Sequence, residues 1–132
     1  MVNAVVQVGR DADIVGARES GRRLAAELGF RGVDLVVIAT AISEVARNIV
    51  SYAIHGEVEV SPIDNGHRHG IKIVARDDGP GIPNIELAMQ DGFSTGSGLG
   101  MGLPGCKRLV DEFSVVSRAG VGTTVTMIKW LS

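Results

Sequence analysis

The chain has 132 residues, 45% of them hydrophobic and 21% charged, and a net charge of −2; it is expected to be one domain, residues 1–132, built on an ordinary core, not a disordered tail. That charge gives no general reason to bind nucleic acid or an anionic membrane, and the one cysteine, Cys106, rules out an internal disulfide. No stretch reaches the roughly 18 apolar residues of a membrane span and the N-terminus lacks a basic-then-apolar leader pattern, so a cytoplasmic protein is expected.

Val2 to Val8 (VNAVVQV) is short and β-branched, as a first strand is. Arg10-Asp11-Ala12-Asp13 then offers N-cap carboxylates to a helix running to about Leu28, with Gly29 as its stop. Ile14, Ala17, Gly21, Leu24, Ala25 and Leu28 fall at helical spacing and are expected to face the core. Their small size points to close packing against another helix or a partner, while Arg18, Glu19, Arg22 and Arg23 form a solvated face.

A second helix is expected from about Asp34 to Ala53, with Leu35, Ile38, Ile42, Val45, Ile49 and Tyr52 as a buried stripe. Glu44 and Asn48 stand one turn apart on the edge of that stripe, next to Ala41. A carboxylate and a carboxamide at the border of a core are placed to line a cleft; taken alone, such a pair is more often a solvated edge.

Glu57 to Ile63 alternates polar and apolar as a half-exposed strand does, Asp64-Asn65-Gly66 is a turn, and Gly70 to Arg76 is the returning strand. His55, His67 and His69 have no Cys or carboxylate cluster at ligand spacing and read as solvated residues. Asp77-Asp78-Gly79-Pro80-Gly81 follows the strand end directly, so the Asp77 carboxylate is placed to reach into a pocket. Ile85 to Gln90 is a short helix candidate. Asp91 to Thr95 is either a mobile lid or an ordinary surface loop.

The run GSGLGMGL, Gly96 to Leu103, comes next, and Pro104 suits the first position of a helix extending to about Asp111. Glycines leave no Cβ in the way and can aim backbone N–H groups at an anion, helped by the helix dipole. By itself the run also fits a flexible linker. Cys106 has no neighbouring His to activate it and reads as an inert thiol. Phe113 to Ser117 and Thr123 to Trp130 are strands joined by a hairpin at Ala119 to Gly122. The whole is expected to be an α/β protein, a two-layer sandwich with helices on one face of a mostly antiparallel mixed sheet.

Three separated motifs then agree with one another. Glu44-x-x-x-Asn48, Asp77-x-Gly79-x-Gly81 and Gly96-x-Gly98-Leu99-Gly100-x-Gly102-Leu103 resemble, in order and spacing, the N, G1 and G2 boxes of the GHKL ATPase/kinase family. Gly120-x-Gly122-Thr123 is similar to that family's last box. The resemblance implies the Bergerat (histidine-kinase-like ATPase) fold. The small size, with no appended dimerisation or phosphoacceptor domain, resembles the stand-alone anti-sigma-factor type of serine/threonine kinase, and ISEVARNI, DDGPGIP and the closing IKWL are similar to its stressosome switch-kinase branch.

Carried over residue by residue, the resemblance implies that Asp77 accepts a hydrogen bond from the adenine amino group and so selects ATP over GTP. Gly79 and Gly81 let the chain pass close to the base, and Thr123 contacts it. Asn48 holds Mg²⁺, an ion that prefers oxygen ligands. Gly96, Ser97, Gly98, Leu99, Gly100, Met101, Gly102 and Leu103 wrap the phosphates. Glu44 is the catalytic base on a serine or threonine hydroxyl. The implied substrates are STAS-domain scaffold proteins of the RsbS and RsbR type, and the implied second partner is a PP2C-type phosphatase of the RsbU type. Two features depart from the sigma-binding relatives: Tyr52 stands where His or Lys is common, and Arg47 precedes Asn48, as in the switch kinases. Arg47 is given no role by the sequence. Alternative functions are an anti-sigma factor that sequesters a sigma factor and phosphorylates an anti-anti-sigma STAS protein, a bare ATPase, and, least favoured, a nucleotide-free adaptor.

Overall fold

A computed structural model of the chain describes residues 3–53, 55–80 and 102–131. In chain order these form β1 (Ala4–Val8), α1 (Asp11–Glu27), α2 (Val33–Tyr52), β2 (Gly56–Asp64), β3 (His69–Asp77), α3 (Gly102–Leu109), β4 (Glu112–Arg118) and β5 (Gly122–Trp130). The strands lie in the order β1-β2-β3-β5-β4. Every pairing among them is antiparallel, so the described sheet has no parallel pair where a mixed sheet was expected. The local hairpins, β2–β3 around Gly66 and β4–β5 around Gly120, are the ones that the turn residues encode. β5 inserts between β3 and β4, and that long-range choice sets the site.

Alternation along the strands gives the sheet two unlike faces. Val58, Val60, Ile71, Ile73, Ala75, Val125 and Met127 are buried against α1 and α2. On the other face Arg76 pairs with Glu57 (2.7 Å) and Glu59 (2.9 Å), and Asn3 donates to Glu59 at 2.9 Å. The Arg76 hydrogen bond, followed by that from Asn3, holds the Glu59 carboxyl below the usual carboxylate range. Because the folded value is depressed, its stabilisation is present above the unfolded pKa and is lost as pH falls through the folded one. In Arg76→Ala the Glu59 carboxyl, followed by NMR titration, is expected to move back up toward an ordinary glutamate.

α1 starts where expected, with one change in the cap. Arg10 occupies the N-cap position, and Asp13, at the third helical position, reaches back to accept from Gly9 N (2.9 Å) and Arg10 N (3.1 Å). Ile14, Ala17, Gly21, Leu24 and Ala25 are its buried face. A Cβ on Gly21 would lie 2.2 Å from Ile42 Cδ1, so the small residue lets α1 and α2 approach closely.

α2 buries Ile38, Ile42, Val45 and Ile49, but Tyr52 leaves the stripe and is 43% exposed. The helix ends there and Ala53 turns to extended backbone, which leaves the ring with one side to solvent. α3 begins two residues before Pro104, which therefore sits inside the first turn, where its missing N–H costs no intrahelical bond. The expected short helix at Ile85 to Gln90 and the lid at Asp91 to Thr95 lie outside the described residues. At the far end of the sheet Trp130 donates through Nε1 to Glu112 (2.8 Å) and through its backbone N–H to Asp111 (2.7 Å), with Arg68 stacked 5.2 Å from its ring. Among the described residues no helix is long and apolar enough to cross a membrane.

Candidate active site

α2 is the wall on which the candidate residues are arranged. Near its middle Glu44 is buried, 8% exposed, on the flank that receives α3. Cys106 of α3 lies 3.9 Å from the Ala41 carbonyl, and its thiol is pushed up to about 12, first by burial and then by the negative charge of Glu44. The helix that continues the glycine run is thus laid beside the Glu44 carboxylate. Asn48 follows one turn later and is half-buried.

The last turn of α2 meets the strand ends. Gly56 lies opposite Asp77 in the β2–β3 register, and a Cβ placed on it would touch both Ile49 Cγ2 and Asp77 Cβ at 3.0 Å. The residue next to Asn48 therefore sits over the end of β3 that carries Asp77. Asp77 is half-buried, and its Oδ1 accepts from Gly79 N at 2.9 Å, which folds the following loop back. A Cβ on Gly79 would lie 2.8 Å from the Tyr52 carbonyl, so glycine is what allows that loop to touch the helix.

Thr123 is 5% exposed in β5 and pairs with Asp77 across the strands. Its hydroxyl lies 2.9 Å from that of Ser117. Gly120 N donates to the Pro80 carbonyl at 2.9 Å, tying the β4–β5 hairpin to the loop after Asp77.

Of the residues expected from sequence, Asp77, Gly79 and Thr123 are brought together, and Glu44 and Asn48 stand along the adjoining helix. Gly102 and Leu103 open α3, and the Leu103 side chain is packed in the core, so only its backbone faces the glycine-run end. Gly81, Gly96, Ser97, Gly98, Leu99, Gly100 and Met101 lie outside the described residues. A shallow groove of about 470 Å³ is lined by Ser51, Tyr52, Ala53, Asp78, Gly79, Pro80 and Gly120. It shares Gly79 with the candidate site but not Glu44, Asn48, Asp77 or Thr123.

One contact at the candidate site has no counterpart in the sequence reading. Arg47 Nη1 donates to Glu44 Oε2, the 44-to-47 spacing bringing the two over one turn. The i,i+3 acid–base spacing is the signal that could have shown it, and Arg47 is the more exposed of the two. His55 and His69 approach Asp78 (3.6 Å) and Asp64 (3.1 Å) on the surface.

Comparison with known proteins decides the family. Residues 33–131 match the family described as Histidine kinase-, DNA gyrase B-, and HSP90-like ATPase. The chain belongs to that family. It is 54% identical to the serine/threonine-protein kinase RsbT of Bacillus subtilis (strain 168), over 96% of this chain and 95% of that protein. It is 35% identical to an anti-sigma F factor of Anoxybacillus flavithermus, over 75% of this chain and 71% of that one. In fold it is similar to the crystal structure of the RsbU and RsbW domains of Rv1364c from Mycobacterium tuberculosis, with a TM-score of 0.64 and 21% identity. That likeness covers 96% of this chain and 32% of the longer one. The chain is an ATP-binding domain whose sequence stands with the protein-kinase members of the family.

Proposed function

We propose that the chain is an ATP- and Mg²⁺-dependent serine/threonine protein kinase that works in the cytoplasm by partner switching. Its substrates are STAS-domain proteins of the RsbS and RsbR type, and after release it binds and activates a PP2C-type phosphatase of the RsbU type. The observation that carries this reading is the convergence on α2: Glu44 and Asn48 along one helix edge, α3 against the middle, Asp77 and Thr123 at the end.

The donor set suits the ligand. Asn48 offers a hard oxygen, and no group of three His, Cys, Asp or Glu is found among the described residues. A divalent ion here takes most of its ligands from phosphate and water, as Mg²⁺ does, and supplies charge neutralisation. Asp77 reads the adenine amino group, with Gly79, Gly81 and Thr123 beside it. The backbone from Gly96 to Leu103 holds the phosphates at the start of α3. Glu44 takes the proton of the acceptor hydroxyl.

Incubation with Mg·ATP and a purified STAS-domain protein, followed by mass spectrometry, is expected to show phosphate on a serine or threonine of the STAS protein; no transfer to any such protein refutes the reading. In Asn48→Ala, calorimetry is expected to show ATP affinity that is weakened and no longer responds to magnesium. Unchanged, magnesium-sensitive affinity removes Asn48 from the metal.

The anti-sigma F relatives support a second reading, sequestration of a sigma factor. Tight binding of a sigma factor with no effect on a PP2C phosphatase favours it.

A further inference from the structure

The Arg47–Glu44 contact has the form of a latch. Glu44 is nearly closed off, its side chain 7% exposed, whereas the Arg47 side chain is 41% exposed and sits at the outer edge of the same helix. A carboxylate acting as base must accept a hydrogen bond from the attacking hydroxyl. Here one of its oxygens already accepts from a guanidinium that reaches it from the solvent side. An ion pair with a half-exposed partner is cheap to exchange for another anion, because water has already taken much of its strength.

We propose that Arg47 restrains Glu44 until an acceptor protein draws the guanidinium onto a carboxylate or carbonyl of its own, so that the base is released only when an acceptor is docked. The inference rests on the reading of Glu44 as the base. In the productive event the acceptor oxygen forms a new P–O bond to the γ-phosphorus and the bond to the β-phosphate oxygen breaks. ADP departs with that electron pair, and the hydroxyl proton passes to Glu44. With water in place of the acceptor the same balance yields ADP and inorganic phosphate. The latch suppresses that wasteful outcome while no acceptor is present.

The test is ATP hydrolysis by the whole chain with no protein acceptor present. Arg47→Gln is expected to raise it roughly three- to fivefold, a factor in keeping with an exposed ion pair. Arg47→Lys, which keeps the charge, should return it most of the way. The Arg47 side-chain Nε–H resonance should shift when a STAS-domain protein is added to the wild-type chain loaded with a non-hydrolysable ATP analogue. Hydrolysis that is unchanged or lowered in Arg47→Gln, with ATP affinity by calorimetry kept, overturns the latch and makes Arg47 a support for Glu44. Full transfer by Glu44→Gln overturns the base assignment itself, and so separates the two failures.

Discussion

Glu44→Ala is expected to lower phosphoryl transfer to a protein acceptor by about 10²–10⁴-fold while leaving ATP affinity nearly unchanged. The size follows from removing a positioned general base, while charge neutralisation and alignment of the phosphates are left in place. The affinity should survive because the proposed adenine contacts, Asp77 and Thr123, stand on β3 and β5, and Asn48 lies a full turn away on α2. Glu44 also lies against α3, so the substitution is expected to let the Cys106 thiol fall from its raised position, since one of the two causes of that rise is gone. Radiolabel transfer and calorimetry on the same preparation check both halves. Transfer at the wild-type rate would rule out the assigned role, and affinity lost along with transfer would mean a structural part.

The second large effect is expected at a position with no functional group. Gly122 has φ +149, a backbone that side chains avoid, and a Cβ there would lie 2.0 Å from the Asp77 carbonyl oxygen and 3.1 Å from Asp78 Cα. Backbone has to move, because neither contact is with a flexible side chain. Strain in φ and overpacking each cost on the order of 1–3 kcal/mol, so Gly122→Ala is expected to lose about 3 kcal/mol of stability. For a domain of this size that lowers Tm by roughly 10 °C. ATP affinity should fall as well, because the displaced strand end carries Asp77. Thermal unfolding with and without nucleotide checks it; a Tm within a degree or two of wild type would show that the strand ends do not crowd as described.

The sequence was most informative where a local period or a local turn decides the structure. The α2 stripe from Ile38 to Ile49, the α1 face with Gly21 against its neighbour, and both hairpins could be read from spacing and turn residues alone. The resemblance to the family's boxes also marked Glu44, Asn48, Asp77 and Thr123 as one set. What spacing does not contain is where a helix runs out of partner. Tyr52 keeps the helical step of the stripe, yet stands at the last turn, where packing stops. Nor does a one-dimensional pattern choose between strands of equal propensity: the insertion of β5 beside β3 is a long-range pairing, and it alone puts Thr123 opposite Asp77. Arg47 was given no role because a helical wheel places Cα atoms, while a long guanidinium side chain reaches back over a turn.

The thiol on α3 has a practical use that follows from its setting. Cys106 is the one cysteine of the chain, fully enclosed, and its proton is held to about pH 12. A disulfide reagent in neutral buffer can react only with molecules in which that helix has come away from α2. The speed of colour development would therefore time the breathing of the segment joined to the glycine run, from unlabelled wild-type protein and a bench spectrophotometer.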